Sequence, residues 1–216
     1  MFFILVLIIL IQPLTQLNAS VSNDSDLCLH ATHKYEKAFD IKPLLLTTIS
    51  HVESGRYNEQ KNAKAPWPWT INFKGKGMWF ANKAQAVKKV KELQARGYKS
   101  IDVGCMQVNL MFHGKAFDSV EDAFNVDQNV YYAATFLTDL YERNDKNWDK
   151  AIMHYHSRKE AKGNRYKKKI DEQLKLVEDI TSKYKFLNFT MRYKDYAWRE
   201  AKLQEYRRKK LENNRS

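Results

Sequence analysis

Little in this sequence belongs to a special-purpose chain. Of 216 residues only seven are Gly and four are Pro, which excludes collagen-like and low-complexity architectures. Two cysteines, Cys28 and Cys105, are too few for a disulfide scaffold. There is no internal repeat, so solenoids and propellers are excluded. No apolar run reaches the roughly 20 residues needed to span a bilayer. Acidic residues are scarce, with 25 Asp and Glu against 37 Lys and Arg, for a net charge of +12. The first 19 residues carry no charge at all.

What is there begins with that uncharged segment. The apolar run from Phe2 to Ile11, followed by polar residues and the small-residue exit "LNA|S", reads as an export signal, residues 1–19, cleaved after Ala19. It departs from the usual pattern in lacking a preceding Lys or Arg, and the alternative is an uncleaved anchor or a buried strand. Export changes the meaning of the charge. A cytosolic chain this basic points to nucleic acid, whereas an exported one meets envelope polymers, membrane headgroups or the carboxylates of a wall substrate. No nucleic-acid partner is expected. An oxidising compartment also favours a Cys28–Cys105 disulfide over two buried thiols.

The mature chain reads as mainly α. "LCLHATHKYEKAF" is a helix with Leu29, Tyr35 and Phe39 as inward positions. Asp40 is the expected cap of a second helix, with Pro43 in its first turn and Gly55 as its stop. "PWPWTINFKGKGMWF" places apolar and aromatic residues around Lys74-Gly75-Lys76-Gly77, a hairpin signal. "NKAQAVKKVKELQARG" is amphipathic, with Ala86, Val90 and Leu93 on one face, and "SIDVG" is a short third strand. Helices follow from about Asp127 to Arg143, with Val130, Ala133, Leu137 and Leu140 inward, and from a cap at Asn147 through Trp148, Ile152 and Tyr155. From Arg165 onward the chain is helical and strongly basic, with a narrow stripe of Ile170, Leu174 and Val177. The expected organisation is a domain over 20–164 and a basic helical tail over 165–216. The tail is read as a solvated extension, or one that docks on the domain, dimerises or meets an anionic envelope surface or a secretion-machinery protein. Removing it is expected to leave the domain's activity on soluble substrates largely intact.

Three short elements carry chemistry. In "LLLTTISHVESGRYN" a glutamate, Glu53, sits two residues before the helix stop. The helix end disfavours its charge, and nearby tryptophans would desolvate it, so its acid constant should rise. A carboxylic acid protonated near neutral pH suits general-acid cleavage of a glycosidic bond. In "VGCMQVN", Gly104 permits close backbone approach. Gln107 and Asn109, two apart, share a face if the stretch is extended, and their amides suit sugar hydroxyls and N-acetyl groups. The third element, "YHS", ends a helix at residues 155–157. The plain alternatives are a glutamate facing water, a polar loop and a core tyrosine.

Taken in order, "ES" closing an apolar helix, "GCMQ", a helix of the "DQNVYYAATFL" kind and "YH" closing another helix resemble the SLT-type lytic transglycosylases. The resemblance covers roughly residues 27–160. It implies a lysozyme-like α+β domain related to goose-type lysozymes, here with a small β-hairpin or three-strand insertion and the basic C-terminal extension. It implies Glu53 as the single catalytic acid/base, Gln107 facing the sugar, Met106 packed beneath it and Tyr155 bonded near the glutamate. His156 stands where the family has Asn, so the role of that amide is not carried over. The stretch from Glu53 to Gly104 is longer than in simpler members, and Trp67 and Trp69 within it offer either sugar-stacking surfaces or ordinary packing. The implied reaction cuts the N-acetylmuramic acid–N-acetylglucosamine bond of peptidoglycan and closes a 1,6-anhydro ring, with no metal or cofactor. The nearest rival is a hydrolase with Asp102 as second carboxylate. A metal site from His113, His154 and His156 is a weaker one, and a non-catalytic wall-binding protein is the alternative of another class.

Overall fold

The computed structural model describes residues 24–58 and 63–183. The expected signal, 1–19, and the part of the expected tail beyond residue 183 lie outside the described residues.

Five helices enclose the larger of two buried clusters. These are α1 (Asp24–Ala38), α2 (Leu45–Ser54), α5 (Val126–Arg143), α6 (Trp148–His156) and α7 (Glu160–Lys183). The expected inward positions of α5 are all buried, because Val130, Ala133, Leu137 and Leu140 recur at helical spacing. Side-chain caps set the starts of α5 and α6. Asn125 accepts from the Gln128 N–H, and Asn147 from the Lys150 N–H.

The start of α2 differs from expectation. Asp40 does not cap it, and Pro43 lies before the helix rather than in its first turn. The connection instead passes through two left-handed residues, Asp40 (φ 55°) and Leu44 (φ 65°). The exposed N–H groups are then met from the preceding helix. The buried carboxylate of Glu36 accepts from Leu44 N at 3.0 Å and Thr47 N at 2.8 Å. Burial pushes the Glu36 acid constant up to about 7, against the opposing pull of those hydrogen bonds.

The second cluster lies under a four-stranded antiparallel sheet in the order β4-β3-β5-β6. Its strands are β3 (Thr70–Phe73), β4 (Lys76–Trp79), β5 (Asp102–Val103) and β6 (Val108–Asn109). The hairpin turn falls on Lys74 and Gly75, both left-handed (φ 53° and 78°), as a two-residue turn matching strand twist requires. β5 pairs with β3, Ile71 opposite Val103. A separate ribbon, β1 (Gly55–Asn58) with β2 (Ala63–Pro66), leaves the end of α2. Helix α3 (Lys83–Ala95) contributes Ala86, Val90 and Leu93 to this cluster, and the single-turn α4 (Val120–Ala123) contributes Ala123. The turn from Gly104 to Gln107 joins the clusters, since Val103 belongs to one and Met106 to the other. Cys105, in that turn, is disulfide-bonded to Cys28 of α1.

The boundary expected at 164/165 falls inside α7. Tyr166, Ile170 and Val177 are buried, and the helix packs on α2 and α6. Tyr166, one turn before Ile170 on the same face, extends the stripe of Ile170, Leu174 and Val177. Through Tyr166 and Ile170 the first turns of the expected tail are therefore a wall of the larger cluster.

Candidate active site

Glu53 lies in the last turn of α2, where the chain leaves the helical cluster for the β1–β2 ribbon. The exit depends on Gly55, because a Cβ there would come within 2.2 Å of the His51 carbonyl oxygen. Two buried hydroxyls on the same turn, Ser50 and Ser54, donate to the Cys105 carbonyl at 3.1 and 2.8 Å. They tie the "ES" helix end to the "GCMQ" turn.

That turn is held from α5. Gly104 adopts φ 81°, and a Cβ on it would fall 2.5 Å from the Asn129 side chain, so backbone conformation and space both require glycine. Asn129 is fully buried. It accepts from Met106 N at 3.0 Å and donates to the Val103 and Ala123 carbonyls at 3.1 Å. Sequence reasoning passed over Asn129. The available signal was an amide at helical spacing from Ala133, Leu137 and Leu140, on a face otherwise apolar.

Tyr155, near the end of α6, donates to the Met106 carbonyl at 3.0 Å. The direct partner of Glu53 comes from α7, where the Tyr166 hydroxyl donates to Glu53 Oε1 at 2.5 Å. The Tyr166 ring stacks on His156, with centroids 4.5 Å apart and planes 5° from parallel. His156 thus fixes the tyrosine that holds the glutamate. Tyr166 was missed because it lies in a stretch that reads as a basic tail, "RYKKKI".

The electrostatics follow from this enclosure. Burial raises the Glu53 acid constant to about 7, and the negative charge of Asp102 pushes the same way. The Tyr166 hydrogen bond and the positive charge of Lys169 oppose the rise. Burial also raises Asp102, against the bond it accepts from Asn109. Tyr155 and Tyr166 are pushed well above the ordinary phenol value, first by burial and then by Glu53. At neutral pH both are hydroxyl donors.

The remaining expected residues divide. Met106 is fully buried, so its side chain packs beneath the site. Gln107 does not lie in an extended stretch. Its φ is 47°, which breaks the period-two argument that placed it beside Asn109. The Gln107 amide nitrogen donates to the Thr70 and Gly104 carbonyls at 3.2 and 3.0 Å. Asn109 is engaged at both ends. It donates to Asp102 Oδ1 at 2.7 Å and Ser100 Oγ at 3.0 Å, and accepts from Met111 N and Phe112 N. Its geometry is that of a loop brace rather than a sugar contact.

Trp67 donates its indole N–H to the Phe80 carbonyl at 2.8 Å, with the Arg56 guanidinium over its ring. Trp69 donates to Asp24 at 2.8 Å and packs on the second cluster. The three histidines are not assembled. His113 pairs with the Tyr132 hydroxyl, and among the described residues no three His, Cys, Asp or Glu side chains form a metal-holding group.

No curated protein and no solved structure matches the chain. A family model described as "Transglycosylase SLT domain" matches residues 30–176, from α1 well into α7.

Proposed function

The chain belongs to the SLT transglycosylase family, whose activity is directed at peptidoglycan, and from that premise we propose that it cleaves the β-1,4 bond between N-acetylmuramic acid and N-acetylglucosamine by lytic transglycosylation, with Glu53 as the single acid/base. The observation that carries this reading is a carboxyl group whose acid constant is raised to about 7 and one of whose oxygens is held by Tyr166. Near neutral pH such a group is populated in both protonation states, as a residue that gives and then takes a proton must be.

The reaction runs in two proton transfers. With Oε1 fixed by Tyr166, the other carboxyl oxygen delivers a proton to the glycosidic oxygen as its bond to C1 of the muramyl residue breaks. The substrate's own N-acetyl oxygen supports the positive charge left at C1. The Glu53 carboxylate then removes the proton of the muramyl C6 hydroxyl, whose oxygen closes on C1 to form the 1,6-anhydro ring. Glu53 ends protonated and no water is consumed. In this reading the Gln107 oxygen accepts from the sugar, while Asn109 and Met106 shape the turn that presents it. Site of action and basic charge together support export to the cell envelope, with residues 1–19 as the signal.

A hydrolytic variant has one observation in its favour. Asp102 lies close enough for its charge to raise the acid constant of Glu53, so two carboxyls share one electrostatic neighbourhood, as water-using glycosidases require. Replacing each tests the assignment. With Glu53→Gln, release of soluble fragments from purified sacculi should fall about 10²–10⁴-fold, while Asp102→Asn should cost far less. Near-normal release by Glu53→Gln contradicts the proposed role, and an inactive, folded Asp102→Asn supports the hydrolase.

A further inference from the structure

Tyr166 faces two ways. Its hydroxyl meets Glu53, and its flank lines an open pocket of about 640 Å³ with His156, Lys162, Arg165, Lys168 and Lys169. Four of those six side chains are permanent cations, and all four are exposed. Among the described residues none of the four makes an ion pair, whereas Lys167 between them is bridged to Asp149 and Asp171. Lys162 lies in the first turn of α7, where the helix already carries partial positive charge and a cation is disfavoured, and the other three follow within the next two turns. Like charges three and four residues apart also repel one another along a helix. A chain that concentrates unpaired positive charge there, against its own helix, has built a place for an anion.

The remaining lining residue adds no charge of its own. Burial lowers the His156 acid constant, and the charges of Lys169 and Lys162 lower it further. At neutral pH its imidazole is therefore uncharged, held by its stack on Tyr166. An arginine fork with lysine point charges around it suits a carboxylate.

We propose that this pocket takes a carboxylate of the peptide stem carried by the muramic acid at the cleavage point, so that the enzyme selects stem-bearing over bare glycan. The inference rests on the peptidoglycan-cleaving reading and adds to it which part of the substrate is recognised beside the reacting bond. The muramyl residue carries both the C6 hydroxyl that closes the ring and the lactyl group from which the stem departs, and Tyr166 touches both Glu53 and the pocket, which brings a stem within reach of the cations. Occupation also feeds back on the chemistry. Lys169 is a positive charge that opposes protonation of Glu53, and a carboxylate seated against it offsets that effect, favouring the acid form in the bound complex.

The test compares three soluble glycan preparations of equal length, cut by the full chain: stems intact, stem carboxylates amidated, and stems removed with the lactyl carboxylates so exposed amidated. The wild type should show kcat/KM about tenfold higher on the first than on the other two, an advantage that shrinks as salt is raised. Lys162→Gln/Arg165→Gln/Lys168→Gln should bring the ratio towards one, while Lys162→Arg/Lys168→Arg keeps it. Equal cutting of all three preparations by the wild type overturns the pocket and leaves the cleavage reading standing. Failure to cut any of them overturns the cleavage reading and this inference with it. A preference retained by the folded triple variant overturns the assignment to these residues. Should that variant not fold, the comparison of intact with amidated stems in the wild type decides.

Discussion

At the scale of single residues, the site is a carboxyl group whose acid constant its surroundings raise to about 7 and which one hydroxyl holds. The awkwardness of a glutamate at a helix C-terminus was visible in the sequence, but the larger cause of its raised acid constant is burial. This gives a signed expectation for pH. The acid step needs protonated Glu53, so kcat/KM should fall as pH rises through about 7. The Tyr166 hydrogen bond stabilises the carboxylate and lowers the constant. Tyr166→Phe should therefore shift this alkaline limb to higher pH while lowering kcat, because Oε1 loses its anchor. A pH–rate profile for the two proteins checks both effects. A limb that stays in place contradicts the account of how Tyr166 acts.

At the scale of elements, what the sequence reveals depends on whether the cause is local. The β3–β4 hairpin is legible because Lys74-Gly75 carries its own turn chemistry, and α3, α5 and α6 because their apolar spacing and Asn caps are local. The start of α2 is not, since its cap arrives from Glu36, eight and eleven residues before the N–H groups it meets. Nor is the path of the turn that carries Gln107, which Asn129 reaches from α5 by bonding to Val103 and Met106. The candidate site divides in the same way. Glu53, Met106, Gln107 and Tyr155 stand in recognisable motifs, whereas Tyr166 is recruited by packing over 113 residues of sequence separation. Glu36→Ala leaves two N–H groups without their partner at the head of the helix that ends in Glu53, and should cost about 1–3 kcal/mol of stability. The folded acid constant of Glu36 is raised from 4.5 to about 7. Its contribution is thus fully present below about pH 4.5 and is lost as pH rises through about 7. Glu36→Gln, which cannot ionise, should flatten that decline in the thermal midpoint between these limits. An unchanged slope contradicts the burial argument.

At the scale of the whole molecule, two cores are joined at one turn. The Gly104–Gln107 segment is tied to α2 by Ser50 and Ser54, to α5 by Asn129, to α6 by Tyr155 and to α1 by the Cys28–Cys105 disulfide. The helix end that carries Glu53 and the turn that carries Gln107 are therefore set by the same contacts that hold the larger cluster together. Helix α7 closes that cluster through Tyr166 and Ile170, against the expectation that removing the residues after about Arg165 leaves activity on soluble substrates largely intact. A chain ending at residue 164 lacks Tyr166, Ile170 and Val177 from the core. It should lose cooperative unfolding and all cleavage, whereas one ending at residue 183 keeps every contact described for the site. Thermal denaturation with an activity assay on both truncations checks this. An active, cooperatively folded chain ending at residue 164 contradicts the placement of α7.

The central claim is that one carboxyl group, Glu53, performs both proton transfers, with the muramyl C6 hydroxyl and not water as nucleophile. Mass analysis of the fragments released from purified peptidoglycan by the wild-type chain tests it most directly. The account predicts 1,6-anhydro-muramyl ends, each one water lighter than the corresponding reducing end. Fragments carrying reducing ends would contradict it and make the enzyme a hydrolase.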